Sequence, residues 1–502
     1  MVDVFYSLVD VNRRFHRLVF DSLYIRHLDM TTIMNVNSVY DQSSSIDIEV
    51  LSEICEKILP RIDHQVHKLT IEQDSMKQIL TANYPQLYSL SLINFQEEIL
   101  YQELTDNLVL RDFLSKQITH LNIDIKKTRD ICSKTVANIF ASILFLCKKL
   151  IVLNFGDMSA RRKCKTPVFY IGSQINMSST LMKLKINVVN FADCLYLLDG
   201  RFECLSTLII NVLSIFDQIG NIGGRKKLPK LKCFSLSTFG RTYAYDSLIV
   251  PLLCRMINLE ELQLYLVVVR TDATYIDGIQ LYDQFLIYMT QLKKFTFNIK
   301  TNVRCRNVRV ELPSNQDIQR SFIGRDYQQV ASCISTEDNA WDGECRICSL
   351  PYDFEYYFDL ENSFQGGMFD KVRRLTMADR IPIKYKLFQL ISHDFRYLEF
   401  LSIPNDYPMK DKQRSSTLIK FLFLTFLDLK GAHMDYAELF LVRKNTNLPR
   451  LSNLSVEYKS LTKITNNFTS DAIHFNFGTV NSLDVHQSFV HPENFHHYFP
   501  LL

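Results

Sequence analysis

The segment Leu259-Glu-Glu-Leu262-Gln-Leu264 contains an apolar-x-x-apolar-x-apolar pattern that returns along this chain of 502 residues. About fifteen copies can be counted, and many of them are separated by roughly 24 to 33 residues. The copies begin at Ile25, Val66, Leu87, Ile118, Leu150, Leu181, Leu205, Leu231, Leu259, Leu292, Val372, Leu398, Leu424, Leu451 and Val480. A period of this length is typical of repeat proteins, in which each repeat is one small structural unit.

Each copy of the pattern predicts a short β-strand. Strand side chains alternate between two faces, so the residue between the last two apolar positions must point away from the core. This residue is polar in every copy except one, where it is Ile209, although 47% of the chain is hydrophobic. Segments between the copies carry apolar residues at helical spacing, namely 50–58, 136–147, 248–256, 282–289 and 386–392. We therefore predict an α/β fold, a leucine-rich-repeat solenoid (horseshoe) with inner parallel strands and outer helices.

The repeat is interrupted once, between residues 301 and 371. This stretch contains a dense aromatic run made of Tyr352, Phe354, Tyr356, Tyr357 and Phe358. We interpret it as an irregular insertion or as degenerate repeats; insertions in repeat proteins map to one face, so a partner-specific element is the alternative. The predicted order is an N-terminal helical segment (1–28), repeats (29–300), the interruption (301–371), and further repeats with a C-terminal cap (372–502).

The charge balance and the apolar runs exclude several classes of partner. The chain has 57 basic and 54 acidic residues, a net charge of +3, so no overall field favours nucleic acid or anionic lipid. Charged residues interrupt the first twenty positions, so the apolar stretch of a secretory signal is not present there; they are Asp3, Asp10, Arg13, Arg14 and Arg17. No apolar run approaches the ~20 residues of a membrane span. We predict a cytoplasmic or nuclear protein with neither a nucleic-acid nor a membrane partner.

The sequence offers no recognisable catalytic set. Cys345-x-x-Cys348 is the one close cysteine pair, and a structural zinc needs four ligands. Cys305 and Cys333 could complete such a site, but their spacing is not that of a zinc motif. We therefore predict no catalytic residue, no metal and no cofactor, and a protein that is not an enzyme.

The N-terminal segment has an apolar helical stripe that includes Phe5, Leu8 and Phe15, with Asp3 placed to cap the helix. One interpretation is a cap that covers the first repeat. The segment also resembles the second half of an F-box, in which an aspartate-aliphatic-aromatic turn leads into a helix ending in an asparagine/arginine and phenylalanine signature. The matching residues are Asp3, Val4, Phe5, Val11, Asn12, Arg13, Phe15 and Leu18.

With its repeats, the chain resembles the F-box/leucine-rich-repeat family of substrate receptors in cullin-RING ubiquitin ligases. The resemblance is to a truncated F-box, because Met1-Val2 stands where the family carries a leucine-proline pair and an acidic residue. It implies that Val4, Phe5, Leu8 and Phe15 contact the linker protein that joins an F-box to the cullin. It also implies that the repeats capture a protein substrate. The alternative is a ligase-independent repeat scaffold or regulator.

The partner-binding residues are predicted to lie on the concave strand face, beside the apolar positions of the pattern. In the first group of repeats they are Lys183, Lys185, Glu261, Gln263, Lys294 and Thr296. In the second group they are Arg374, Phe400, Phe426 and Asp428. Solvent-facing strand positions that recur from repeat to repeat form one continuous surface, which is why they are the candidates.

Overall fold

The computed structural model describes residues 25–31, 48–126, 134–156, 178–216, 228–305, 310–325, 329–336, 342–410, 418–485 and 492–502. The fold is α/β, as predicted, and its large sheets are mostly parallel. In the described part of the chain, no helix combines the length and the apolarity needed to cross a membrane.

The strands lie at intervals along the whole described chain. They are β1 (His27–Asp29), β2 (Lys68–Glu72), β3 (Ser89–Phe95), β4 (His120–Ile125), β5 (Val152–Phe155), β6 (Lys183–Asn190), β7 (Thr207–Ser214), β8 (Cys233–Thr242), β9 (Glu261–Thr271), β10 (Lys294–Arg304), β11 (Val330–Thr336), β12 (Asp342–Ser349), β13 (Tyr356–Leu360), β14 (Arg374–Met377), β15 (Phe400–Ser402), β16 (Ile419–Lys420), β17 (Phe426–Asp428), β18 (Thr446–Asn447), β19 (Asn453–Val456) and β20 (Ser482–Val485). Every copy of the six-residue pattern therefore contains a strand.

Helices occupy most of the connections between these strands. They are α1 (Ile48–Glu53), α2 (Leu59–Ile62), α3 (Met76–Ile79), α4 (Glu97–Asp106), α5 (Leu108–Lys116), α6 (Lys134–Leu146), α7 (Phe191–Leu197), α8 (Val250–Leu253), α9 (Gly278–Gln284), α10 (Asn315–Ser321), α11 (Tyr385–Asp394), α12 (Met434–Leu441), α13 (Tyr458–Ile464) and α14 (Phe495–Tyr498). The described part of the chain also has two π-helical turns (Ile54–Ile58 and Tyr245–Ile249) and three 3₁₀ turns (Asp63–Gln65, Leu286–Tyr288 and Ala472–His474).

Consecutive strands pair parallel and in register with the sequence pattern. In the first sheet β1 to β10 follow one another in chain order, and β12 lies beyond β10. The second apolar position of the pattern aligns across all ten strands, from Leu28 opposite Leu69 to Leu262 opposite Phe295. The second sheet runs β13-β14-β15-β17-β19-β20, and the same position aligns there, as in Leu401 opposite Leu427. A slip of one residue would turn every apolar side chain outward, so burial fixes this register.

One backbone arrangement recurs at the start of the strands in both sheets. The carbonyl of the residue after the first apolar position accepts two N–H groups from the next repeat. Lys232 O accepts from Glu260 N at 2.7 Å and from Glu261 N at 3.0 Å. In the second sheet Glu399 O accepts from Thr425 N and from Phe426 N, both at 2.9 Å. Repeats that differ in sequence therefore share one backbone geometry.

Polar side chains set where several of the helices begin. Asn107 Oδ1 accepts a hydrogen bond from Leu110 N at 3.0 Å at the start of α5. Asn190 and Asp193 form a reciprocal capping box on α7, and Ser314 and Asp317 form one on α10. Such caps satisfy N–H groups that have no partner within the helix.

The chain divides into two compact units. The first unit holds β1 to β10, and the second holds β13 to β20. In each unit the apolar positions of the pattern form the core; Leu262 and Leu427, for example, are both fully buried.

The interruption between residues 301 and 371 is partly regular structure. It contains α10, β11, β12 and β13, and β13 pairs parallel with β14 through Tyr357 opposite Leu375. Tyr357 is buried and lies in an aromatic cluster with Phe369, at 5.7 Å between ring centroids. Part of the aromatic run therefore supplies core packing for the second sheet.

Candidate protein-interaction surface

One face of the first sheet carries the polar positions of the pattern, and the apolar core positions point to the other face. The third and fifth positions of the pattern have the same parity along each strand, so their side chains project from one side of the sheet. We call this side of β1 to β10 the polar face. Its two rows are in register, for example Lys183 opposite Thr207 and Lys185 opposite Ile209.

The structure brings the six predicted residues of the first sheet onto the polar face, two from each of three strands. Lys183 and Glu261 are exposed, and Lys185, Gln263 and Lys294 are half-buried. Glu261 lies directly opposite Lys294 in neighbouring strands, and Gln263 lies opposite Thr296. These six positions therefore carry charges of both signs, with three lysines and one glutamate.

Thr296 departs from the prediction, because only 3% of it is exposed. It lies in an eleven-residue strand, β10, which pairs along its full length with β9. Its neighbour across the ladder is the longer side chain of Gln263. Thr296 is therefore unavailable to a partner in this structure.

Two of the four predicted residues of the second sheet are also buried. Phe400 and Phe426 are 2% and 4% exposed. They lie opposite each other in β15 and β17, with 4.9 Å between ring centroids, so each ring covers part of the other. These side chains add apolar packing to the second sheet and present almost no surface.

The other two predicted residues of the second sheet, Arg374 and Asp428, are half-buried. Asp428 Oδ2 accepts a hydrogen bond from Ser402 Oγ at 3.0 Å, and Asp428 Oδ1 accepts one from Lys430 N at 3.1 Å. The carboxylate therefore fixes its neighbours, and part of its hydrogen-bonding capacity is already used within the chain.

A charged triad at the strand starts was not among the predicted site residues. Glu260 accepts Lys232 Nζ on one carboxylate oxygen and Lys293 Nζ on the other, each at 2.7 Å. These two hydrogen bonds, and the charges behind them, lower the pKa of Glu260 to about 2. The signal was in the sequence, because the three residues occupy the second position of successive pattern copies.

Aromatic and histidine side chains lie where β2, β3 and β4 begin, at the other end of the first sheet. Tyr88 lies between His67 and His120, with ring centroids 6.1 Å and 5.6 Å away in edge-to-face geometry. Burial and the nearby Lys68 lower the pKa of His120. The imidazole is therefore held neutral to lower pH than usual, and this end of the sheet carries less positive charge.

The cysteine pair and the metal-ligating side chain types can be located within the described residues. Among them, no group of three or more His, Cys, Asp or Glu side chains could hold a metal ion. Cys345 and Cys348 are both buried in β12, and their odd spacing puts them on opposite faces of the strand. The two thiols therefore do not converge on one point.

The predicted linker-binding residues Val4, Phe5, Leu8 and Phe15 lie outside the described residues. A scan of protein-family models finds no match to this sequence, and a sequence search finds no curated protein that matches it.

Proposed function

We propose that the chain is a leucine-rich-repeat solenoid, curved as a horseshoe, that acts as a non-enzymatic protein-interaction adaptor. The observation that carries this proposal is the register: copies of one six-residue pattern pair as consecutive parallel strands in both sheets. The recurrent carbonyl that accepts two N–H groups at each strand start supports the proposal, because it gives the repeats the same backbone geometry. Stacked equivalent repeats give an extended, continuous surface suited to a protein partner.

We propose further that the adaptor is the substrate-recognition subunit of a cullin-RING ubiquitin ligase, working in the cytoplasm or nucleus. The support is the resemblance of the N-terminal segment to a truncated F-box, together with the repeats that follow it. In this scheme Phe5 and Phe15 bind the linker protein. Lys183, Lys185 and Glu261 on the polar face contact the substrate.

Co-purification of the full chain with the cullin linker protein tests the ligase proposal. A Phe5→Ala/Phe15→Ala variant is compared with a matched Phe145→Ala/Phe216→Ala variant, whose two rings are 55% and 59% exposed in the described chain. We expect a stoichiometric complex with the wild type and the matched variant, and none with the Phe5/Phe15 variant. If the wild type fails to bind the linker, the ligase role is wrong and a ligase-independent scaffold remains.

Charge reversal tests the role of the polar face separately. A Lys183→Glu/Lys185→Glu variant is compared with Lys386→Glu/Lys459→Glu, which makes the same charge change at exposed sites on α11 and α13. We expect partner proteins identified by quantitative cross-linking in cells to be lost from the first variant only. An unchanged set of cross-linked proteins would contradict binding through the polar face.

A further inference from the structure

A row of stacked cationic and aromatic side chains lies at the strand starts of the second sheet. We call Arg373, Tyr397, Phe423 and Arg450 the rim stack. Tyr397, Phe423 and Arg450 occupy the same point before β15, β17 and β19, so the repeat geometry places them one above the next. This row is separate from the polar face of the first sheet.

The members of the rim stack contact one another in an unbroken series. The guanidinium of Arg373 lies 5.1 Å from the ring centroid of Tyr397, which is 5.2 Å from that of Phe423. At the other end of the series, the guanidinium of Arg450 lies 4.9 Å from the ring centroid of Phe423. Each contact is within the range of favourable cation–π or tilted ring packing. The stack therefore holds two guanidinium groups at fixed positions along the rim.

The rim stack is open to solvent. Tyr397 is 42% exposed, Arg450 is exposed, and Arg373 and Phe423 are half-buried. The neighbouring Leu422 is 51% exposed, which adds apolar surface beside the rings. Exposed aromatic and arginine side chains in one patch are the composition found at the centres of protein interfaces.

The charge that remains available at the rim is positive. Arg373 Nε lies 3.6 Å from Glu399 Oε1, and Arg373 Nη1 donates to the carbonyls of Asp370 and Val372 at 2.6 Å and 3.3 Å, so most of this guanidinium is already used within the chain. Lys371 is paired with Asp353. Within the described chain, the guanidinium groups of Arg396 and Arg450 make no ion pair, and both side chains are exposed. The stacked guanidinium of Arg450 keeps its N–H edge free for a planar acceptor, and a carboxylate matches that edge with two hydrogen bonds.

We propose that the rim stack is a docking surface for an acidic segment of a partner protein. Carboxylates of the segment bind the guanidinium edge of Arg450, and its apolar groups pack on Leu422 and the ring edges. Arg373 holds the Tyr397 ring in place and adds positive charge to the patch. Single-stranded nucleic acid is the less favoured occupant, because base stacking needs open ring faces, and each ring already has a guanidinium over it and the other ring beside it. The proposal does not depend on the polar face or on the F-box resemblance.

Fluorescence anisotropy of the full chain tests the proposal directly. The probes are a labelled peptide of alternating aspartate and glutamate, the same peptide with asparagine and glutamine, and a labelled single-stranded oligouridine. An Arg373→Gln/Arg450→Gln variant is compared with Lys444→Gln/Lys459→Gln, which removes the same charge from exposed sites away from the rim. Circular dichroism melting shows whether each variant is folded.

We expect the acidic peptide to bind the wild type and the lysine variant with equal affinity. Its affinity for the arginine variant should be lower by about tenfold or more. An Arg450→Lys variant, which keeps the charge but loses the planar fork, should fall between these values. The proposal is overturned if the amide peptide binds as well as the acidic one, if both charge variants lose binding equally, or if oligouridine binds more tightly. Should the double arginine variant fail to fold, the Arg450→Gln and Arg450→Lys variants decide between the outcomes in the same way.

Discussion

The two sheets use one sequence pattern, but the longest strands of the first sheet are more than twice as long as any strand of the second. In the first sheet β9 and β10 each run for eleven residues, whereas in the second sheet β15 and β17 run for three. The apolar positions of the pattern align in the same way in both sheets. The pattern therefore sets the register, and residues that follow it set the length.

The residues after the pattern explain the difference. In β9 the segment that follows is rich in β-branched side chains, Val267, Val268 and Val269, which favour a continued strand. In β15 the pattern is followed by Pro404, which has no N–H to donate to a neighbouring strand. After β17 comes Gly431 with φ of 72°, a left-handed conformation that turns the chain.

Removing one buried leucine from each sheet should have the largest effect. Leu262→Ala in β9 and Leu427→Ala in β17 each delete a fully buried side chain, at an expected cost of about 2–5 kcal/mol. We expect hydrogen-exchange protection to fall in 261–271 for the first variant and in 426–428 for the second, as measured by mass spectrometry. Leu108→Ala, at a side chain that is 80% exposed, is the control and should leave both segments protected.

Equal loss of protection in both segments from either leucine substitution would contradict this expectation. It would mean that the two compact units unfold together as one cooperative unit.

The sequence predicted the strands well because their signal is local. Period-two alternation and an apolar anchor lie within six residues, so each copy of the pattern could be recognised alone. The class of fold and the parallel pairing of consecutive repeats followed from these copies and are confirmed. The lengths of β9 and β10 were not predicted, because they are set by residues beyond the six of the pattern. The π-helical turn at Tyr245–Ile249 was not predicted either, because helical spacing of apolar residues does not distinguish it from an α-helix.

The candidate surface was predicted less well, for a physical reason. Strand parity correctly placed Lys183 and Glu261 on an exposed face. Parity alone could not show that Phe400 and Phe426 would stack and bury each other, because the two residues come from different repeats. Nor could parity show the Glu260 triad, which lies before the strands and depends on the reach of two lysine side chains.

Two buried asparagines offer a second, smaller test of the comparison. In the connection that follows β15 of the second sheet, Asn405 Nδ2 donates to the carbonyls of Asp379 and Ile381 at 3.1 Å and 3.0 Å, and Asn405 Oδ1 accepts from the Tyr436 hydroxyl at 3.2 Å. In the first sheet Asn211 Oδ1 is buried and has no hydrogen-bond partner in the described structure. The two side chains are similarly buried but differ in what they contribute.

We expect Asn405→Ala to lower the free energy of unfolding by about 2–3 kcal/mol, because it removes the acceptor of the buried Tyr436 hydroxyl and the donor to two part-buried carbonyls. Asn211→Ala should change it by less than about 1 kcal/mol, since it removes an amide oxygen that already lacks a partner. Chemical denaturation monitored by circular dichroism measures both values. A larger loss of stability for Asn211→Ala than for Asn405→Ala would contradict the expectation that the hydrogen-bonded Asn405 contributes more to stability.

The smallest expected effect concerns the acidic residue at the strand starts of each sheet. Glu260 is held by two lysines at 2.7 Å, whereas Glu399 has only Arg373 Nε at 3.6 Å. The pKa of Glu260 is lowered from 4.5 to about 2, so its ion pairs stabilise the fold above pH 4.5, and this stabilisation is lost as the pH falls towards 2. Because the triad is at the surface, salt and solvent keep the contribution small.

NMR titration should find the Glu260 carboxylate ionised well below pH 4 in the wild type. In a Lys232→Gln/Lys293→Gln variant we expect its pKa to return towards 4.5, and an unchanged low value there would show that the lysines are not its cause.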